Sequence, residues 1–157
     1  MTATSTPVRS STSSTPTPVE EQEVLDLISR GLTDREISAD LALSSSTARR
    51  RVERMYDRLG AENRGHAVRL GFERQLLTPS NVNPLPGTPS LRQRQVLELM
   101  SHGKTSDQIA ERLELAENYV RKLARDLYRR IGARSRPHAI RLGFEHGLLT
   151  PAGGERR

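Results

Sequence analysis

Apolar residues fall into two sets of short helical faces, separated by polar, glycine- and proline-rich stretches. In the first set, Val24, Leu25, Leu27 and Ile28 share one helical face. Gly31 ends that helix, because glycine accepts the positive φ of a C′ position. Thr33-Asp34-Arg35-Glu36 follows, a capping box in which Thr and Glu each satisfy a free backbone N–H. Ile37 and Leu41 supply the buried face of a second short helix, and Ala42-Leu43-Ser44 makes a tight turn. A third helix is predicted from Ser45 to Leu59, with Val52, Met55, Tyr56 and Leu59 inward. After Gly60, Asn63 is placed as the N-cap of a fourth helix carrying Ala67, Val68, Leu70 and Phe72.

The same pattern returns 72 residues later. The register holds without a gap from Val24/Val96 to Pro79/Pro151, and close to half of the paired positions are identical. Arg69-Leu70-Gly71-Phe72-Glu73 recurs as Arg141-Leu142-Gly143-Phe144-Glu145, and Leu76-Leu77-Thr78-Pro79 as Leu148-Leu149-Thr150-Pro151. The second copy keeps the capping box as Thr105-Ser106-Asp107-Gln108, and places its turn at Glu114-Leu115-Ala116. Its third helix runs from Glu117 to Ile131, with Ala124, Leu127, Tyr128 and Ile131 inward, and Ser135 is its Asn63 counterpart. An ungapped match of this length means one fold present twice.

The predicted fold is therefore all-α: two tandem four-helix domains, residues 19–79 and 90–151. Residues 1–18 are Ser/Thr/Pro-rich with nothing to bury and are read as a disordered tail. Residues 80–89 read as a semi-rigid Pro-rich linker, and residues 152–157 as a tail that frays.

Composition narrows the chemistry. Only 34% of the 157 residues are hydrophobic and 3% aromatic, which suits two small cores rather than one large one. The net charge of +6 favours a polyanionic partner. The chain has no Cys, so disulfides, thiolate nucleophiles and Cys-based zinc sites are excluded. His66, His102, His138 and His146 form no metal-ligand cluster and no Gly-rich phosphate loop occurs, so neither an enzyme nor a cofactor is expected. No apolar run reaches the ~18 residues of a membrane span, and no secretory h-region is present, so a cytoplasmic location is expected.

Both third helices carry a basic outer face. The first has Arg49, Arg50, Arg51, Arg54 and Arg58 against Glu53 and Asp57. The second has Arg121, Lys122, Arg125, Arg129 and Arg130 against Glu117 and Asp126. Two short helices joined by a tight turn, the second studded with cations, is the helix-turn-helix plan. Such a helix enters the major groove, where its N-terminal half reaches base edges and flanking cations hold phosphates.

These residues resemble the LuxR-type (GerE-like) helix-turn-helix domain. The first repeat matches through Glu21, Val24-Leu25, Gly31, Ile37, Leu41, Ser44, Thr47-Ala48-Arg49, Leu59-Gly60, Asn63-Arg64 and Ala67; the second through Val96-Leu97, Gly103, Ile109-Ala110, Leu113, Val120-Arg121, Ile131-Gly132, Ser135-Arg136 and Ala139. The second repeat departs from the pattern with Gln93 for Glu, Ala116 for the Ser cap, Tyr119 for Thr and Leu123 where a His is common. Loss of a Ser cap costs about 1 kcal/mol, so the second recognition helix is expected to start later or fray.

Carried over by position, the resemblance implies that Arg49, Arg50 and Glu53, and Arg121, Lys122 and Arg125, face the groove, with Thr47 and Tyr119 beside them. Arg54, Arg58, Arg129 and Arg130 are the expected phosphate contacts. Arg pairs bidentately with guanine and Glu accepts from cytosine N4, so Glu53 against Arg125 implies different half-sites. The family binds duplex DNA and regulates transcription. Its members usually carry a sensor domain first, for which residues 1–18 are too short, so a regulator without a built-in sensor is expected. Family domains usually pair through the fourth helix, which two linked copies could imitate, as monomer or homodimer. The linker with one flanking residue on each side, about twelve residues in all, reaches at most ~40 Å, enough for half-sites ~34 Å apart; their relative orientation is open. The competing reading is a protein-interaction module, motivated by Leu123 and Tyr119, in which one repeat binds a polymerase subunit or another regulator. Bulk phosphate binding is a third, and RNA binding is disfavoured by the lack of aromatic stacking platforms.

Overall fold

Helix boundaries follow the local signals. The computed structural model describes residues 18–80 and 83–152, and these hold α1 (Pro18–Ser29), α2 (Asp34–Asp40), α3 (Ser45–Leu59), α4 (Arg64–Glu73), α5 (Leu91–Ser101), α6 (Ser106–Leu113), α7 (Glu117–Ile131) and α8 (Arg136–Glu145). Among the described residues the fold is all-α. The expected disorder of the two tails concerns residues outside the described ones, apart from Pro18 and Ala152. Pro18 is the first residue of α1, where a missing backbone N–H costs the helix nothing.

Both predicted capping boxes form. Thr33 N–H donates to Glu36 Oε2 at 2.7 Å, and Thr105 N–H to Gln108 Oε1 at 3.0 Å. A third box opens α5: Ser90 N–H donates to Gln93 Oε1 at 2.9 Å, and Gln93 N–H to Ser90 Oγ at 3.2 Å. Gln93, a departure from the family pattern, thus does the capping work of an N3 residue. Each repeat closes its core from all four of its helices, with Val24, Ile28, Ile37, Met55 and Val68, and Val96, Ile109, Leu127 and Ile140, buried at its centre.

The repeats do not hang apart on their linker. Helix α4 packs on α8, while α1 flanks α8 and α5 flanks α4. The Phe72 and Phe144 rings stack with centroids 4.8 Å apart. Arg69 donates to Glu98 at 2.9 Å and Ser101 at 2.7 Å across the seam, and is braced by Glu73 at 2.7 Å. Arg141 reciprocates with Asp26 at 2.7 Å, Ser29 at 2.5 Å and Glu145 at 2.9 Å. Every partner in one set is the repeat counterpart of a partner in the other. Such reciprocal contacts define an isologous interface, so the repeats are related by a pseudo-twofold axis and not by translation. Close approach requires small residues: a Cβ on Gly65 of α4 would lie 2.7 Å from Ile140 Cδ1 of α8.

The linker therefore does not set the spacing. Leu85 packs against the core and Pro89 is buried. Ser80 Oγ donates to Glu145 at 2.8 Å, and its counterpart Ala152 donates its N–H to Glu73 at 3.3 Å. These chain ends are tied across the seam.

Removing one member of a buried ion pair strands its partners. Arg69→Ala is expected to cost about 3 kcal/mol or more in urea unfolding followed by circular dichroism, and Phe72→Ala about as much. The exposed Arg50→Ala should stay within about 0.5 kcal/mol. Equal midpoints for Arg69→Ala and Arg50→Ala would show that the seam does not hold the repeats together.

Candidate nucleic-acid interface

Helices α3 and α7 each bury one stripe and expose the other. The buried stripe is Ala48, Val52, Met55 and Leu59 in α3, and Val120, Leu123, Leu127 and Ile131 in α7. Ala48 and Val120 were not among the expected inward positions, and Tyr56, Ala124 and Tyr128, which were, are only half-buried. Tyr128 Oη donates to Met100 Sδ at 3.6 Å. Leu123 is 8% exposed, so it belongs to the core and not to a contact surface. Its counterpart Arg51 has shifted to the flank, 3.6 Å from Glu20.

The start of α7 corrects one expectation. It begins at Glu117, the counterpart of Ser45, so it does not start late. What differs is the cap. Ser44 accepts from Thr47 N–H at 3.2 Å and donates to Thr47 Oγ1 at 2.8 Å, whereas Ala116 makes no such bond. Both helices end on a left-handed glycine, Gly60 or Gly132.

The predicted groove residues share one exposed face in each repeat: Thr47, Arg49, Arg50 and Glu53 on α3, and Tyr119, Arg121, Lys122 and Arg125 on α7. Arg49 leans toward the helix C-terminus, onto Glu53 at 3.2 Å. Arg121 leans the other way, onto Glu117 at 2.5 Å. The expected phosphate contacts divide. Arg54 is half-buried, and Arg129 is exposed and paired with Asp126. Arg58 pairs with Glu21 of α1 at 3.1 Å, and Arg130 donates to the linker carbonyl of Thr88 at 3.1 Å. Arg58, Arg129 and Arg130 thus each already hold a partner, and Arg58 and Arg130 reach outside their own helix for it. Neither α3 nor α7 packs on the other repeat, so both faces stand clear of the seam.

Two arginine pairs act behind the site. Arg64 donates to Leu32 O at 2.9 Å and pairs with Asp34. Arg136 donates to Met100 O at 2.8 Å and Lys104 O at 2.5 Å. Each clamps the turn that leads into its helix-turn-helix. Arg69 and Arg141 align the repeats. Their signal was present in the Arg-Leu-Gly-Phe-Glu stretch shared verbatim, where a charged pair interrupts an apolar helix. Asn63 caps α4 through His66 N–H at 3.1 Å and donates to Gly103 O at 2.8 Å across the seam. Ser135 makes no cap bond.

His66 and His138 sit at the same seam, half-buried. Each is neutral at Nδ1, accepting from Glu62 N–H at 3.2 Å or Arg134 N–H at 3.1 Å. Burial pushes both below the ordinary histidine value, helped at His138 by Arg134 and Arg141.

With this geometry in view, the relatives are informative. The family model "Bacterial regulatory proteins, luxR family" matches residues 19–70 and 90–142, and the chain belongs to that family, one of regulatory proteins rather than enzymes. Response regulator Rre1 of Synechocystis is 34% identical over 82% of this chain and 52% of its own length. Transcriptional regulatory protein YdfI of Bacillus subtilis is 36% identical over 41% of this chain and 32% of its own, and transcriptional activator protein BjaR1 of Bradyrhizobium diazoefficiens 32% over 52% and 34%. The chain thus spans about a third to a half of the length of these relatives. No solved structure matches it significantly. Among the described residues, no helix is long and apolar enough to cross a membrane.

Two outcomes follow. Ala116→Ser should stabilise the protein by up to about 1 kcal/mol in thermal or urea unfolding, by restoring the α7 cap. Because both histidines have depressed folded-state pKa values, the unfolded chain binds more protons just below the ordinary value of 6.5. Stability is complete above that pH and falls as pH drops through the depressed values. His66→Gln/His138→Gln should flatten this loss between pH 7 and 5, read from urea midpoints; a profile parallel to wild type would remove the histidines from the account.

Proposed function

We propose that this chain is a cytoplasmic transcription regulator that binds a bipartite duplex DNA site with α3 in one major groove and α7 in the next. One chain serves as its own dimer. The observation that carries this reading is the isologous α4/α8 seam, which pairs the repeats about a pseudo-twofold axis and leaves both basic faces outside. Twofold pairing favours inverted half-sites over direct ones, because duplex DNA has matching local dyads. Arg49, Arg50 and Glu53 are proposed to face one half-site and Arg121, Lys122 and Arg125 the other, with Thr47 and Tyr119 alongside and Arg54 and Arg129 on phosphates. The printed names of the relatives, which include a transcriptional regulator and an activator, support the same reading. So does family membership. Burial of Leu123 leaves the interaction-module alternative with Tyr119, 46% exposed, as its one apolar handle among the residues that motivated it.

Linking the repeats rigidly makes the second groove contact intramolecular, which raises avidity without new contacts. Selection of bound duplexes from a random pool, with wild type and Arg49→Ala/Arg121→Ala, tests the reading. Wild type should enrich an inverted bipartite motif with unequal halves, bound by one chain per duplex, and the double variant should lose it. A direct repeat would refute the seam-imposed geometry. Absence of any motif would shift the weight to a polymerase subunit or another regulator as the partner.

A further inference from the structure

The two reading faces differ where α6 meets α7. An open cleft of about 410 Å³ there is lined by Ser106, Asn118, Arg121, Ala124 and Arg125. It presents two guanidinium groups and no carboxylate. Arg125 is exposed and forms no ion pair among the described residues. Arg121 is held at the rim by Glu117, 2.5 Å away, on a side chain that is itself 40% exposed.

The counterparts in the first repeat are Asp34, Ser46, Arg49, Val52 and Glu53. Two of them are carboxylates. Glu53 already answers Arg49 at 3.2 Å, and Asp34 is tied to Arg64. Val52 is buried where Ala124 leaves room. One face is therefore cationic and open, and the other is neutralised, acidic at its edge and filled.

We infer that the α6/α7 cleft is a seat for a DNA backbone phosphate, gripped by Arg125 and Arg121, and that the first repeat has no equivalent seat. This rests on the DNA-binding reading above and adds a division of labour to it. The second repeat anchors the complex on the backbone, and the first contributes base discrimination through Arg49 and Glu53. A phosphodiester oxygen pair matches the planar fork of a guanidinium, which binds it bidentately. Two carboxylates facing the same position would repel it. Ser106 adds a neutral hydroxyl where the first repeat has the Asp34 charge.

Salt dependence reads phosphate contacts directly, since each neutralised phosphate adds about 0.9 to the slope of log affinity against log salt. The full chain is titrated by fluorescence anisotropy on a 25-base-pair duplex of random sequence, from about 0.05 to 0.3 M salt. A random duplex keeps the test independent of whether selection returns a motif. Arg125→Ala is expected to lower the slope by about one unit and to weaken all sequences alike. Arg92→Ala, which removes an exposed cation of α5 outside both reading faces, should leave the slope within a few tenths of a unit. The reciprocal Asp34→Ser/Glu53→Arg chain, with the missing seat installed, should gain about one unit. The substituted positions are all exposed, so the variants are expected to fold. An unchanged slope in Arg125→Ala, equal losses in Arg125→Ala and Arg92→Ala, or no gain in the reciprocal chain would overturn the phosphate seat while leaving the DNA-binding reading intact. No binding to any duplex would overturn the proposed function itself.

Discussion

The arrangement of the molecule depends on two arginines that cross between repeats. Arg69 and Arg141 are 4% and 8% exposed, and each donates to two carboxylates and a serine hydroxyl. A guanidinium at that depth is tolerated only when its donors are met. Glu73 and Glu145 brace them from their own helices, and the acceptors across the seam, Glu98 and Ser101 or Asp26 and Ser29, lie on the first helix of the opposite repeat. The seam therefore has one satisfying register. A shift by a single helical step would strand both cations, and the stacked Phe72 and Phe144 between them would lose their contact. Apolar surface supplies adhesion, and the buried ion pairs supply orientation.

Orientation is what a DNA reader needs from such a seam. Separate domains on a flexible tether would sample many relative poses, and each bound complex would require ordering one of them. Here α3 and α7 are placed by the same rigid pair of helices, α4 and α8, at whose N-termini the clamps Arg64 and Arg136 sit. A covalent pair also allows what a homodimer does not. Its two halves can differ. The seam's Arg69/Arg141, Phe72/Phe144, Glu73/Glu145 and Ser29/Ser101 are the same in both repeats, while the outward positions have diverged, Glu53 against Arg125 and Asp34 against Ser106. The inner surface is held by mutual complementarity, because any change must suit both sides. The outer faces carry no such constraint on each other.

Much of this was legible from the chain. The 3.6-residue period, the Thr-x-x-Glu/Gln capping boxes and the terminal glycines act over three or four residues, so their readings of α2, α3, α6 and α7 needed no tertiary knowledge. The exposed cations of α3 and α7 were equally local. Less legible were residues whose role depends on a distant partner. Leu123 reads as apolar whether it lies in a core or on a surface, and only packing against the rest of the second repeat placed it inside. Arg58 and Arg130 looked like their neighbours Arg54 and Arg129, but Glu21 and the Thr88 carbonyl draw them to their own domain.

By itself, the sequence determined that one helix-turn-helix unit occurs twice, where its helices begin and end, and which helix faces are basic. The tertiary structure decided how the two units sit together. Residues 80–89 read as a spacer, and nothing in their composition says that the repeats close directly on one another. That outcome rests on contacts 29 to 115 residues apart, Arg69 with Glu98 and Arg141 with Asp26. Helix signals are encoded by near neighbours along the chain. The pairing of α4 with α8 is encoded by surfaces whose charges become complementary only once both repeats are folded.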